Sequence, residues 1–234
     1  MLIHFNMRKL IAVFLYAIFY PTIIKESRRT DSVLAIYGHD SKREPFEKLI
    51  KWFLKRDYHF ITQYEFYDYL NGKKLVNNKN IYLSFDDGWR SNFTDVLPVL
   101  QKYNIPATIF LSTKGMRDGY YWFSNAFQNR QSSLYSKVDE LWEMPNAMRM
   151  SIISKLPPFK GERETMNERE VLLMTESGLV SWGNHTDDHV ISNNCSDIEL
   201  KEEESNCDIS SLSFEYNISS EYNMWLYNDT CLNA

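Results

Sequence analysis

Residues 81–88 read Ile-Tyr-Leu-Ser-Phe-Asp-Asp-Gly, an apolar run that ends in two adjacent carboxylates and a glycine. About a hundred residues later stands Gly183-Asn184-His185-Thr186-Asp187-Asp188-His189, with two imidazoles four positions apart. Two acids and a spaced histidine pair form the donor set of a mononuclear hydrolytic metal site. Histidines at i and i+4 share one face of a helical turn, which lets both rings reach one ion. In the zinc-protease pattern a glutamate follows the first histidine as general base. Thr186 holds that place here, so the base has to come from elsewhere. Asp86 and Asp87 supply a carboxylate pair, one to ligate an ion beside His185 and His189, the other to take a proton from water. Three protein donors with open positions is the catalytic arrangement, and the chemistry it suits is hydrolysis of an amide or ester.

Each motif alone has an ordinary reading. Asp-Asp-Gly after a strand is usually a turn, and a histidine pair in a chain with 5 histidines is often surface or core. What favours a site is their joint placement. Ser32–Tyr37, Tyr58–Ile61, Ile81–Phe85, Ile105–Leu111 and Leu179–Trp182 are apolar runs of strand length. Between them lie helical patterns: Phe46 to Leu54, a capping box at Thr62/Glu65, a helix over about Ser91–Tyr103 disturbed by Pro98, and capping signals at Asn167/Glu170 and Ser196/Glu199. Strands alternating with helices predict a parallel sheet or barrel, in which active residues gather at the C-terminal ends of the strands. Both chemical motifs fall at such ends. Residues 115–161 break the rhythm and read as an insertion over one face, its aromatics Tyr120, Tyr121, Trp122 and Phe123 serving packing before sugar stacking.

The bulk numbers narrow the rest. A chain of 234 residues with 44% hydrophobic and 15% aromatic content has ample material for a core. The net charge of −5 offers no basic footprint for nucleic acid. From residue 196 on there are nine acids against Lys201 alone, so the last segment is an acidic tail. The three cysteines, Cys195, Cys207 and Cys231, fit no zinc knuckle or disulfide framework and read as free thiols. Leu10–Ile24 is an apolar stretch broken by Pro21, short for a membrane span of about 20 residues. It reads as a helix packed on the domain or lying at a membrane surface, with a signal or anchor as the alternative.

Taken together these residues resemble the polysaccharide deacetylases of carbohydrate esterase family 4, the NodB-homology domain. Ser84-Phe85-Asp86-Asp87-Gly88 matches that family's first motif, and His185-Thr186-Asp187-Asp188-His189 its second. Leu97-Pro98-Val99-Leu100, Tyr103 through Leu111, and Ser177-Gly178-Leu179 resemble the text between. The resemblance implies a deformed parallel (β/α) barrel that removes N- or O-acetyl groups from an acetylated polysaccharide or oligosaccharide. By motif matching it makes Asp86 the general base and Asp87, His185 and His189 the ligands of a divalent metal, zinc first, with cobalt, nickel or manganese as alternatives. His39, after the first strand, matches a histidine often found there. With Trp89 it is a candidate for the substrate cleft, a structural role in the barrel mouth being the alternative for His39. The family's later motifs find no match: no proline follows Pro158 and no histidine follows His189. The resulting expectation is a barrel incomplete at its C-terminus. It has a helix or anchor at residues 1–30, a deacetylase-like domain at 31–207 and a divergent tail at 208–234. Association with a membrane through residues 10–24, and a place in the cell envelope or at a membrane with the cytoplasm as the alternative, are the accompanying expectations.

Overall fold

In the structure, a computed structural model, residues 32–76, 79–130 and 138–207 are described; the apolar stretch at 10–24 and the tail from 208 lie outside them. Among the described residues no helix is long and apolar enough to cross a membrane. Strands and helices alternate as predicted. The strands are β1 (Val33–Gly38), β2 (His59–Ile61), β3 (Asn80–Phe85), β4 (Ala107–Leu111) and β5 (Val180–Asn184). All pair in parallel. The fold is therefore α/β, with the strand–helix alternation of a (β/α) barrel. Among the described residues β1 and β5 are the outer strands of an open sheet.

β3 is the hub. All six of its residues are buried, as a parallel strand covered on both faces requires. β1 runs along one edge of it from Val33↔Asn80 to Gly38↔Phe85. β2 and β4 divide the other edge, β2 pairing residues 80–82 and β4 pairing Ser84 and Phe85. The half of β3 that leads to the two acids thus lies between β1 and β4. β5 then joins β4 from Ala107↔Val180 to Leu111↔Asn184.

The helices cover this sheet with apolar faces at the expected spacing. α1 (Arg43–Leu54) buries Phe46, Ile50 and Phe53. α2 (Gln63–Leu70) opens on a complete capping box from Thr62 and Glu65. The single helix predicted over Ser91–Tyr103 is instead a wide π turn, Asn92–Val96, followed by α3 (Leu97–Tyr103). Pro98 explains the change: it has no N–H to return to the carbonyl of Thr94. That carbonyl accepts from the Arg43 guanidinium instead. Val96, Leu100, Leu83, Ile109 and Trp182 meet in the main core.

Between β4 and β5 lie α4 (Thr113–Asp118), α5 (Trp122–Gln128), a 3-10 turn at Val138–Trp142, α6 (Asn146–Ile153) and α7 (Glu168–Glu176). Part of this segment has a core of its own, Trp122, Ala126 and Leu141. α7 and the last helix, α8 (Asp197–Asn206), begin with the capping boxes predicted at Asn167/Glu170 and Ser196/Glu199. Cys195 and Cys207 are free thiols, as expected, while Cys231 is outside the described residues.

Candidate metal centre

The two acids are aimed by the way β3 ends. Asp86 N–H donates to Gly38 O at 2.9 Å, carrying the β1–β3 ladder one residue further. The chain then turns through positive φ at Asp87 (75°) and Gly88 (90°). A Cβ on Gly88 would lie 2.3 Å from Leu111 Cδ1, so both the turn and the close packing on β4 call for glycine. The Asp87 carbonyl accepts from Ser112 N–H at 3.1 Å and from Tyr121 Oη at 2.8 Å. Its backbone is therefore fixed before its side chain is considered.

The histidines are delivered by β5. His185 N–H donates to Leu111 O at 3.1 Å, just past the last β4–β5 pair. Residues 185–189 are not the helical turn that their spacing suggested. They form a loop in which Thr186 and His189 both take left-handed backbone, φ 63° and 51°. Local side chains compete successfully with helix formation here. Asn184 Oδ1 accepts from Thr186 N–H at 2.8 Å, and Thr186 Oγ1 accepts from Val190 N–H at 3.1 Å. A β-branched residue at positive φ is an outlier that costs about 1–3 kcal/mol, so the surroundings must hold it.

The result brings together residues 102 positions apart. Asp87 Oδ1 lies 3.2 Å from His185 Nε2 and 2.8 Å from His189 Nε2. The three donor atoms all fall within 4.8 Å of one another. With metal–ligand bonds near 2.0–2.1 Å, a tetrahedral site has donor separations of about 3.3 Å, so this carboxylate–imidazole set fits a zinc-sized ion. The second acid stands beside it. Asp86 Oδ2 is 3.8 Å from Nε2 of His39, whose side chain is half exposed.

The adjacent carboxylates have opposite electrostatics. Burial pushes the Asp86 carboxyl up, and the nearby His185 and His39 offset this only in part. Burial acts on Asp87 too, but the imidazoles of His189 and His185 overcome it and hold that group well below the usual carboxylate range. Two acids driven apart in this way are suited to different tasks, one to stay ionised as a ligand and one to exchange a proton.

A ring of aromatics completes the site. Trp89 Nε1 donates to Asp87 Oδ2 at 2.6 Å, and Trp122 Nε1 donates to His189 O at 3.0 Å. The rings of Tyr121 and Phe123 pack against His189 at 5.6 and 5.3 Å. Tyr121 and Trp122 were read from the sequence as packing residues first, with sugar stacking as the alternative, and their hydrogen bonds to the site were missed. Their phenol and indole donors were the signal available, since buried Tyr and Trp polar atoms need partners. Asn184 was missed as well, though it bridges the loop to α8 by donating to Glu204 O at 3.0 Å and Cys207 O at 3.1 Å. A cavity of about 420 Å³ lies beside the loop, lined by Lys114, Tyr121, Trp122, Met150 and Asp188, and none of the three metal donors reaches it.

The sequence profile described as Polysaccharide deacetylase matches residues 73–210, more than half of the chain, and the chain belongs to that family. Over 100 residues it is 31% identical to the poly-beta-1,6-N-acetyl-D-glucosamine N-deacetylase of Staphylococcus epidermidis, a match covering 43% of this chain and 32% of that protein. A protein of the same name from Staphylococcus aureus is 33% identical over 78 residues, covering 33% and 27%. The chain spans about a third or less of the length of these curated relatives. Among solved structures it resembles IcaB from Ammonifex degensii, with 21% identity and a TM-score of 0.48 over 68% of this chain and 54% of that one. It also resembles the Streptococcus pyogenes deacetylase PplD in complex with acetate, with 15% identity and a TM-score of 0.48 over 75% and 64%.

Proposed function

We propose that this chain carries a metal-dependent hydrolase centre that removes acetyl groups from a polysaccharide. The observation that carries the reading is the convergence of Asp87 Oδ1 on His185 Nε2 and His189 Nε2 at 3.2 and 2.8 Å, with a second, differently poised carboxylate beside it. Asp87, His185 and His189 hold the ion, zinc in the first instance. When bound, a divalent ion polarises a carbonyl oxygen and lowers the pKa of water to about 7. Asp86 is the general base: burial raises its proton affinity, which brings it closer to the range where a carboxylate accepts a proton from water effectively. His39, half exposed and 3.8 Å from Asp86, faces the substrate. Trp89, the other candidate for the cleft, also orients Asp87 through its indole N–H. Residues 31–207 are taken as the working domain, with 115–161 as its insertion.

The relatives named for poly-beta-1,6-N-acetyl-D-glucosamine make N-acetylated amino-sugar polymers the first substrate to test. A second reading is a relative that binds metal or glycan without turnover. Three donors within 4.8 Å of one another are enough to hold an ion whether or not turnover follows. Acetate release from N-acetylated oligosaccharides, with zinc or cobalt present and Asp86→Asn as control, separates the two. Release above the control supports the hydrolase. Binding of metal or glycan without release leaves the second reading, and failure to bind either removes both.

A further inference from the structure

We infer that Asp187, a residue inside the histidine motif that ligates nothing, is the positioning residue that locks the metal loop, and that Arg117 and Thr113 of α4 are its partners. The inference rests on the metal reading above for its consequence, and on geometry alone for the clamp itself.

Asp187 is the most heavily bonded residue of its loop. Its Oδ1 accepts from Thr113 Oγ1 at 2.5 Å and from Arg117 Nη2 at 2.7 Å, and its Oδ2 accepts from the same Nη2 at 2.9 Å. Its carbonyl accepts from Ser112 Oγ at 2.7 Å and from Lys114 N–H at 2.9 Å. Its own N–H donates to Glu203 O at 3.2 Å. Glu203 holds the next residue too, its Oε2 accepting from Asp188 N–H at 2.8 Å. Every polar group of Asp187 is thus used, and its partners come from two separate elements, α4 and α8.

The loop needs such a hold. Thr186 on one side of Asp187 and His189 two residues on are both left-handed, and these two turns send the imidazoles back toward Asp87. Backbone in such regions persists only where surrounding contacts over-determine it. α4 is well placed to provide them, because Ser112, just ahead of it, also donates its N–H to the Asp87 carbonyl. One short segment, Ser112 to Arg117, therefore sets both the carboxylate and the imidazole sides of the centre to a common reference. Outer-shell groups that fix the orientation of metal ligands commonly tune affinity about ten- to a hundred-fold, and Asp187 would act to the same end through the backbone of the loop.

The test compares wild type with Asp187→Ala, Asp187→Asn and Arg117→Ala. Hydrogen exchange over residues 184–191 in metal-free protein reads the clamp without any ion. Zinc titration and the visible absorption of the cobalt-loaded protein read its effect on the centre. Asp187→Ala is expected to speed exchange in the loop, weaken zinc about ten- to a hundred-fold and alter the cobalt spectrum. Asp187→Asn, which keeps an acceptor for Thr113, is expected to fall between the two. Arg117 is half exposed, so Arg117→Ala keeps the comparison open if Asp187→Ala does not fold. Unchanged exchange with unchanged zinc affinity in both alanine variants overturns the clamp and leaves the metal reading intact. Faster exchange in the variants, with wild type binding no zinc, supports the clamp and sinks the metal reading.

Discussion

The indole N–H of Trp89 donates to Asp87 Oδ2 at 2.6 Å, while Oδ1 of the same carboxylate faces both imidazoles. A residue two positions along the chain therefore engages one oxygen and leaves the other to the imidazoles. Trp89 is itself packed on Tyr121, ring centroids 5.0 Å apart, and Tyr121 holds the Asp87 carbonyl. Replacing Trp89 with Phe keeps most of the ring and removes the donor. Zinc affinity should fall about ten- to a hundred-fold, measured by competition with a chromophoric chelator. An unchanged affinity would show that Asp87 needs no such restraint.

Asp86 and Asp87 should separate cleanly under mutation. Asp86→Asn is expected to lower turnover by about a hundred- to ten-thousand-fold, the usual worth of a general base, with zinc binding close to wild type. Asp87→Asn should lose zinc binding and turnover together. Calorimetry beside acetate release tells the two apart, and equal loss of zinc in both would remove the distinction drawn here between base and ligand.

A pH-dependent tie joins two of the helices that cover the sheet. Glu47 Oε1 is 2.8 Å from Lys102 Nζ, 2.7 Å from Tyr103 Oη and 2.9 Å from Lys51 Nζ, joining α1 to α3. Lys102 first, then Tyr103 and Lys51, draw its carboxyl down from 4.5 to about 2. The folded state thus holds the proton less tightly than the unfolded chain does. The stabilisation is complete above pH 4.5 and is lost as pH falls toward about 2. Thermal melts of wild type and Glu47→Gln should differ most near neutrality and converge over that acid range; a gap that stays constant would contradict the assignment.

Gly183 tests the packing beneath the centre. A Cβ there would lie 2.3 Å from Cδ1 of Phe110, a β4 side chain only 1% exposed. Gly183→Ala should destabilise the protein by about 1–3 kcal/mol, as overpacking of a closed core does. The melting temperature should drop by about 2–4 °C for each kcal/mol. No drop would mean that β4 and β5 can part without cost.

Much of the centre was legible because each motif ends an apolar run abruptly: Phe85 gives way to Asp86-Asp87-Gly88, and Trp182-Gly183-Asn184 to His185. The three capping boxes were equally readable, since their bonds join residues three apart. The histidine loop was not. Its spacing of four suggested a helical turn, and what prevents one is Asn184 and Thr186 bonding locally while Glu203 and Arg117 hold Asp187 from elsewhere in the chain. The π turn before α3 was foreshadowed by Pro98, but its form depends on Arg43, 51 residues from the carbonyl it caps. Contacts set by distant partners leave little trace in a local pattern.

The placement of β4 between β3 and β5 has a consequence for how the centre comes into being. Asp87 leaves the ribosome long before His185 and His189, and no neighbouring pair of strands can supply all three donors. The histidine loop alone offers only two of the three donors, and the end of β3 only one. If the centre holds an ion as proposed, full coordination would wait until the third strand has docked, and loading with metal would report that the middle of the sheet is complete. A chelator added during refolding should accordingly leave the rate of the earliest steps untouched.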